Sequence, residues 1–352
     1  MKGMILAAGF GTRFRPATYE IPKPMIPLCN RPLIGWALEA MFAAGIREIV
    51  VNLHHLPGTL ERHLLDQYGK DADFAFSREE SILGTGGGIR RARKHLGDDI
   101  FVLANGDTVH SPPFAELVSS CRSEKALAAL LLRHPPADDR FTKVFFDGRF
   151  IRGFGEGSGD ALMFAGAHAI SPDIFDILPD RDFSGITEDV YIPAVRAGSP
   201  LLAGLVHDGH WFDIGTPRRY LEATKEVRAL MLEGKLAVPR GSAGKGNSIV
   251  AGSAEIRASL ESSVAGERSR LESGARVRDS VLWEGVEVGE GAVVERSIVA
   301  RDVQIPRGAT VRGALICGRL EGVDYPEGTI VRERVVATGI RDHEAPVLER
   351  IE

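Results

Sequence analysis

The chain has 352 residues, a net charge of −5, 44% hydrophobic and 26% charged residues. That length suggests about two domains, and the composition is that of an ordinary globular protein. The mild acidity excludes bulk electrostatic attraction to nucleic acid or an anionic membrane, so any phosphate recognition has to be local. No apolar run is long enough to span a bilayer, and the N-terminus enters a strand directly instead of forming a signal peptide. Cys29, Cys121 and Cys317 are far apart and odd in number. They make no metal spacing and no disulfide framework, and are expected as reduced, buried thiols of a cytoplasmic protein.

Met4-Ile5-Leu6 reads as a short apolar strand that runs into Ala7-Ala8-Gly9-Phe10-Gly11-Thr12-Arg13, a small-residue turn ending in a cation. Glycines let backbone N–H groups approach an anion closely. Lys23 follows between Pro22 and Pro24, which restrict the backbone around the ammonium. A helix is predicted from Leu33 to Ala44, stopped by Gly45, then a buried strand Ile49–Leu53. Ile82-Leu83-Gly84-Thr85-Gly86-Gly87-Gly88 reads as a glycine-rich loop preceding a helix, able to offer N–H groups to a ligand or to act as a hinge. Phe101–Ala104 is another strand, ending at Asn105-Gly106-Asp107, and Leu127–Leu132 a third apolar run. Strands alternating with helices predict a mainly parallel, Rossmann-like α/β sheet covered on both faces, with ligands beyond the carboxyl ends of strands. The Gly9–Arg13 turn and Asp107 both fall at such ends.

After Pro239 the pattern changes. Gly241–Ser248 reads as a flexible junction of small residues. Beyond it, Gly274, Gly291 and Gly308 recur every 17 residues, as do Ser263, Ser280, Ser297 and Ala314. Within each repeat, β-branched steps fall about six residues apart, as at Val281, Val286 to Val288 and Val293-Val294. Such periodicity predicts a solenoid, and three steps per turn predict a parallel β-helix with triangular coils. The expected domains are therefore 1–238, 247–330, and a tail at 331–352.

The string from Met4 to Leu28, continued by Asn30–Ile34, resembles the signature of the sugar-1-phosphate nucleotidyltransferases. Three further segments match that family: the Gly84–Gly88 loop, Asp107 after its strand, and Trp211-Phe212-Asp213-Ile214-Gly215-Thr216-Pro217. The repeats resemble the left-handed, hexapeptide-type β-helix that many members carry. The resemblance implies a nucleotidyl transfer from an NTP to a sugar 1-phosphate, without nucleic-acid or membrane partners. It implies catalytic roles for Arg13 and Lys23, and Mg²⁺ on Asp107 and Asp213. Leu6, Ala7, Ala8, Gly9, Gly11, Thr12, Arg13, Gly84, Thr85, Gly86 and Gly87 would bind nucleotide, with Arg78, Glu79 and Glu80 as further candidates near the base. Gly106, Glu156, Gly166 and Glu188 would face the sugar.

The substrate hints conflict. Phe154-Gly155-Glu156-Gly157 replaces the Glu-Lys-Pro of many relatives, and Phe164-Ala165-Gly166 their Asn-Ala-Gly. With the glycine run, this resembles the branch containing N-acetylmuramate-1-phosphate uridylyltransferases. Those typically lack a β-helix, whereas many mannose-1-phosphate guanylyltransferases have one. GTP with mannose 1-phosphate is the first expectation, and UTP with a glucose- or amino-sugar 1-phosphate the second. A non-catalytic, nucleotide-sugar-binding regulatory subunit is a third reading. A second, acyltransferase activity in the coils is disfavoured, because the only histidine after Trp211 is His343. Since every candidate catalytic residue precedes Pro239, the coils are expected to serve stability or homo-oligomer assembly.

Overall fold

The computed structural model describes residues 1–136, 141–155, 161–199 and 201–317, together with the backbone of Ile330–Arg332 and Val336–Ala337. The chain packs as two compact units. Met1–Phe10, Pro22–Met25 and Leu33–Phe212 form the first, and Gly11–Ile21, Ile26–Pro32 and the chain from Asp213 form the second.

The first unit is built on the expected parallel sheet. Asp73–Arg78, Glu48–Leu53, Lys2–Leu6 and Phe101–Asn105 lie side by side in that order, all parallel. Their apolar runs do not alternate with polar residues because both faces are covered. Met4, Val50 and Leu103 enter one hydrophobic cluster, while their neighbours Ile5, Val51 and Val102 enter the other. That is the period-two consequence of a pleated strand. The long strand Ala161–Ile170 then adds an antiparallel half, pairing with Phe101–Asn105, Ala128–Arg133 and Lys143–Phe146. The helix predicted at Leu33 runs to Ala43 and ends where Gly45 takes a left-handed φ of 75°.

In the second unit the junction expected to be flexible is a β-hairpin. Ser242–Lys245 pairs antiparallel with Ser248–Ala251 around Gly246-Asn247, a two-residue turn whose glycine has φ 59°. The solenoid follows, with three parallel ladders. Val264, Val281, Ile298 and Leu315 are in register on one, Arg270, Glu287 and Gln304 on the second, and Arg276, Val293 and Thr310 on the third. Ile330–Arg332, which straddles the expected boundary, and Val336–Ala337, which lies past it, pair with these ladders. The corners are set by left-handed residues about six apart: Arg268, Gly274, Asp279, Gly285, Gly291, Arg296 and Asp302 all have positive φ. Leu282, Val286, Val288, Val294, Val299 and Ile305 fill the interior.

The recurring serines stitch coil to coil. Ser263, Ser280 and Ser297 are buried. The hydroxyls of Ser263, Ser280 and Ser297 donate to the carbonyls of Glu261, Arg278 and Glu295, each at 2.7 Å. They accept the amides of Ser280, Ser297 and Ala314 in the next coil at 3.1 to 3.2 Å. A buried polar side chain at a 17-residue interval is thus explained by satisfied hydrogen bonding. Replacing Ser280 by alanine would leave the Ser297 amide without its partner. The cost should be about 1–3 kcal/mol of stability, read as a lowered denaturant midpoint for the transition that unfolds the coils.

Candidate active site

In the first unit, the strand ends Leu6 and Asn105 open onto a cleft of about 290 Å³. The signature turn supplies Ala7, Ala8 and Gly9 to its wall, and the opposite side brings Glu79, Ile82, Gly84 and Thr85. Lys23 and Asp107 reach the same cleft and form an ion pair of 2.6 Å. The lysine side chain is only 8% exposed against 38% for the aspartate, so the ammonium presents itself from within the protein. A short 3₁₀ turn, Lys23–Met25, framed by the prolines, fixes its backbone. Behind the aspartate, buried His110 is held well below the usual histidine range, at about 4. Its burial outweighs the opposing pull of Asp107. It is therefore a neutral ring, and neither nitrogen has a hydrogen-bond partner among the described residues.

A buried amide ties the cleft walls together. Asn52 accepts the Ala7 amide at 2.7 Å and donates to the Glu79 carboxylate at 2.7 Å. The other Glu79 oxygen accepts the Leu83 amide at 3.0 Å, at the start of the glycine-rich segment. Glu79 had been one of three undifferentiated candidates, and Asn52 was missed. The available signal was a polar residue at the end of an otherwise apolar strand, Ile49–Leu53.

Several sequence expectations are modified. The glycine-rich segment is not a loop but the first turns of the helix Gly84–Leu96. Gly86 and Gly87 do not line the cleft, and their amides go to the Ser184 carbonyl at 2.8 and 3.3 Å. A Cβ on Gly87 would stand 2.4 Å from the Asp182 carbonyl oxygen, so close packing, not a ligand, requires the glycine. Gly106 and Gly166 likewise act as backing. Gly106 donates to the Leu6 carbonyl at 2.9 Å, and a Cβ on Gly166 would meet the Asn105 amide at 2.7 Å. Glu188 lies in the turn Thr187–Tyr191 and is not among the residues lining the cleft. Its neighbour Asp189 accepts the Gly185 amide and pairs with Arg181, a structural role. Glu156 lies outside the described residues.

The second unit holds Gly11, Thr12, Arg13 and Asp213. Gly11, in the left-handed region, precedes the 3₁₀ turn Thr12–Phe14. Thr216 caps the helix Pro217–Leu232 with its side chain, accepting the Arg219 amide. Arg219 forms an ion pair with Asp213. A Cβ on Gly215 would lie 3.0 Å from the Arg13 guanidinium and 3.1 Å from the Asp213 carboxylate, so glycine lets these two side chains approach closely.

Among the described residues there is no cluster of three or more His, Cys, Asp or Glu side chains suited to a metal. A hard cation takes one or two carboxylates and completes its shell with phosphate and water; in the cleft Asp107 offers a carboxylate that is already paired with Lys23. The three cysteines are buried thiols, and burial pushes Cys29 to about 12 and Cys121 to about 11. No described helix is long and apolar enough to cross a membrane.

A small-residue turn at the end of a parallel strand, on a sheet unit followed by a coil of six-residue steps, defines the class. Residues 2–229 match the model of the Nucleotidyl transferase family, and residues 238–314 that of the GlmU-like C-terminal hexapeptide. The chain belongs to the Nucleotidyl transferase family, and its coil is consistent with a left-handed β-helix. It is 31% identical over 236 residues to the mannose-1-phosphate guanyltransferase of Eremothecium gossypii, covering 64% of each chain. It is 31% identical over 231 residues to the probable mannose-1-phosphate guanylyltransferase 1 of Oryza sativa subsp. japonica, covering 63% of each. The enzyme of Candida albicans is 30% identical over 237 residues, again with 64% of each covered. The chain thus spans just under two thirds of these relatives' length.

Asn52→Ala should break the bond set that joins Ala7 to Glu79 and Leu83. A stability loss of about 1–3 kcal/mol follows from the unpaired buried groups. Nucleotide affinity, measured by calorimetry, should fall as well, because two cleft walls lose their common tie.

Proposed function

We propose that the protein transfers a nucleotidyl group from an NTP to a sugar 1-phosphate, giving an NDP-sugar and pyrophosphate. GTP and mannose 1-phosphate are the first substrates in this reading, supported by the names of the relatives. The observation that carries it is the nearly buried Lys23 ammonium, paired with Asp107 inside a cleft walled by the small-residue turn. A cation held there meets a polyanion, not a neutral ligand.

A sugar-phosphate oxygen attacks the α-phosphorus in line, the new P–O bond forms, and the bond to the β-phosphate oxygen breaks. The attacking group is already an anion, so no general base is needed and catalysis is positioning and charge neutralisation. Lys23 bridges the α-phosphate and the sugar phosphate and offsets their repulsion. Arg13 counters charge on the departing pyrophosphate. Leu6, Ala7, Ala8 and Gly9 with Gly84 and Thr85 cradle the nucleotide, Gly11 and Thr12 shape the turn that carries Arg13, and Glu79 faces the base through the wall it shares with Asn52. Gly106, Gly166, Glu156 and Glu188 belong to the sugar side, the two glycines by backing Asn105 and Leu6. Mg²⁺, held by Asp107 and Asp213, would supply further neutralisation at the α-phosphate when bound. We place the catalytic chemistry in 1–238, the coil in 247–330, and the protein in the cytoplasm, where its thiols stay reduced. Self-association through the coil is part of the same reading.

The test is a matrix of four NTPs against mannose, glucose and amino-sugar 1-phosphates, followed by pyrophosphate release. GTP with mannose 1-phosphate should be fastest. UTP with an amino-sugar phosphate in its place would move the assignment to the uridylyl branch, and no release from any pair would end it. Lys23→Ala should lower kcat/KM by about 10²–10³, the usual cost of one transition-state donor, with the melting temperature little changed.

A further inference from the structure

The second unit joins the signature segment to the solenoid by side chains that the chemistry above leaves unused. Tyr220, fully buried in the helix Pro217–Leu232, stands at the centre. Its hydroxyl donates to the Pro27 carbonyl and accepts the indole N–H of Trp283 at 3.0 Å. Burial pushes the phenol far above its ordinary range, so the donor is retained at any working pH. Phe14, the residue after Arg13, packs edge-on against the Tyr220 ring with centroids 5.5 Å apart. Both Phe14 and Trp283 are buried.

One other residue repeats the pattern at another coil. The Asn30 amide donates to the Ala265 carbonyl at 3.0 Å and to the Ser242 hydroxyl at 3.2 Å. Asn30 itself has a left-handed backbone, φ 66°. Within the second unit, the signature segment thus meets the coil directly, from Asn30 to Ala265, and through Tyr220, whose ring packs on Phe14 and whose hydroxyl binds Trp283. Arg13 lies in the same segment, beside Gly215. A coil serving assembly alone requires no path, by one hydrogen bond and one ring contact, from a buried tryptophan to the residue beside the candidate catalytic arginine.

We infer that the β-helix positions Arg13 within the second unit, with Trp283 a positioning residue that acts through Tyr220 and Phe14. This rests on the reading of Arg13 as the counter-charge to the leaving pyrophosphate. The expectation that the coils only stabilise or assemble the protein is replaced by one in which they orient a reacting group.

The test uses the full chain. Trp283→Phe keeps an aromatic ring and removes the N–H, and Tyr220→Phe removes both hydrogen bonds. Each should lower kcat about tenfold, as expected when a charged group loses its alignment, with KM for the nucleotide within about twofold. The double variant should be no worse than Tyr220→Phe alone, since residues acting as one unit are non-additive. Hydrogen exchange should quicken in amides 11–32 and stay unchanged in 84–96. Asn30→Gly suits the left-handed backbone there (φ 66°) and provides the same readout from a second coil. Wild-type kcat in Trp283→Phe and Asn30→Gly, with unaltered exchange over 11–32, would overturn the inference. If the wild type turns over no sugar phosphate, the functional reading fails, and the exchange arm still decides whether the coil holds the arginine's segment.

Discussion

A lysine side chain that is 8% exposed must have a counter-charge, and Asp107 supplies it at 2.6 Å. The cost of withdrawing an ammonium from water is tolerable only with a close anionic partner. Much of the first unit can be understood as meeting that demand. The strand Phe101–Asn105 ends so that Gly106 folds against the Leu6 carbonyl and delivers Asp107 to the cleft. The prolines around Lys23 hold its backbone in a single turn. The cation is thereby placed and partly desolvated before any ligand arrives, where its field is stronger than it would be in water.

The signature is dense because it serves two packing environments in alternation. Met1–Phe10 and Pro22–Met25 belong to the sheet unit, while Gly11–Ile21 and Ile26–Pro32 belong to the unit containing the solenoid. Residues that look like spacers in the string have separate duties. Phe14 is a packing partner for Tyr220, Pro27 offers it a carbonyl, and Asn30 binds the first coil. The coil's exposed ladders are, by contrast, charged and self-satisfying. Glu261, Arg278, Glu295 and Arg312 stand in register, with Arg312 paired to Glu295 at 2.7 Å.

Features carried by local chemistry were legible in the sequence. Continuous apolar runs gave the parallel strands, and a 17-residue period gave the solenoid, down to the serine that later proved to be its stitching. The glycine run was misread as a loop because glycine's low helix propensity was weighed without its packing. The Ser184 carbonyl and the Asp182 backbone come close enough to exclude a Cβ, and those neighbours lie about a hundred residues away in the chain. Asn52 and Trp283 were missed for the same reason. Each acts by a hydrogen bond across dozens of residues, which no local pattern announces. The Gly241–Ser248 junction was misjudged because small residues suit a tight hairpin as well as a flexible linker.

The central claim is that the cleft moves a nucleotidyl group between two phosphates, and a reaction of that kind is reversible. The most direct measurement is pyrophosphorolysis: incubation of the intact protein with GDP-mannose, pyrophosphate and Mg²⁺, followed by phosphorus NMR. The account predicts GTP and mannose 1-phosphate in equal amounts, with the rate reduced about 10²–10³ in Lys23→Ala. Failure to form any NTP from GDP-, UDP- or ADP-sugars would contradict it.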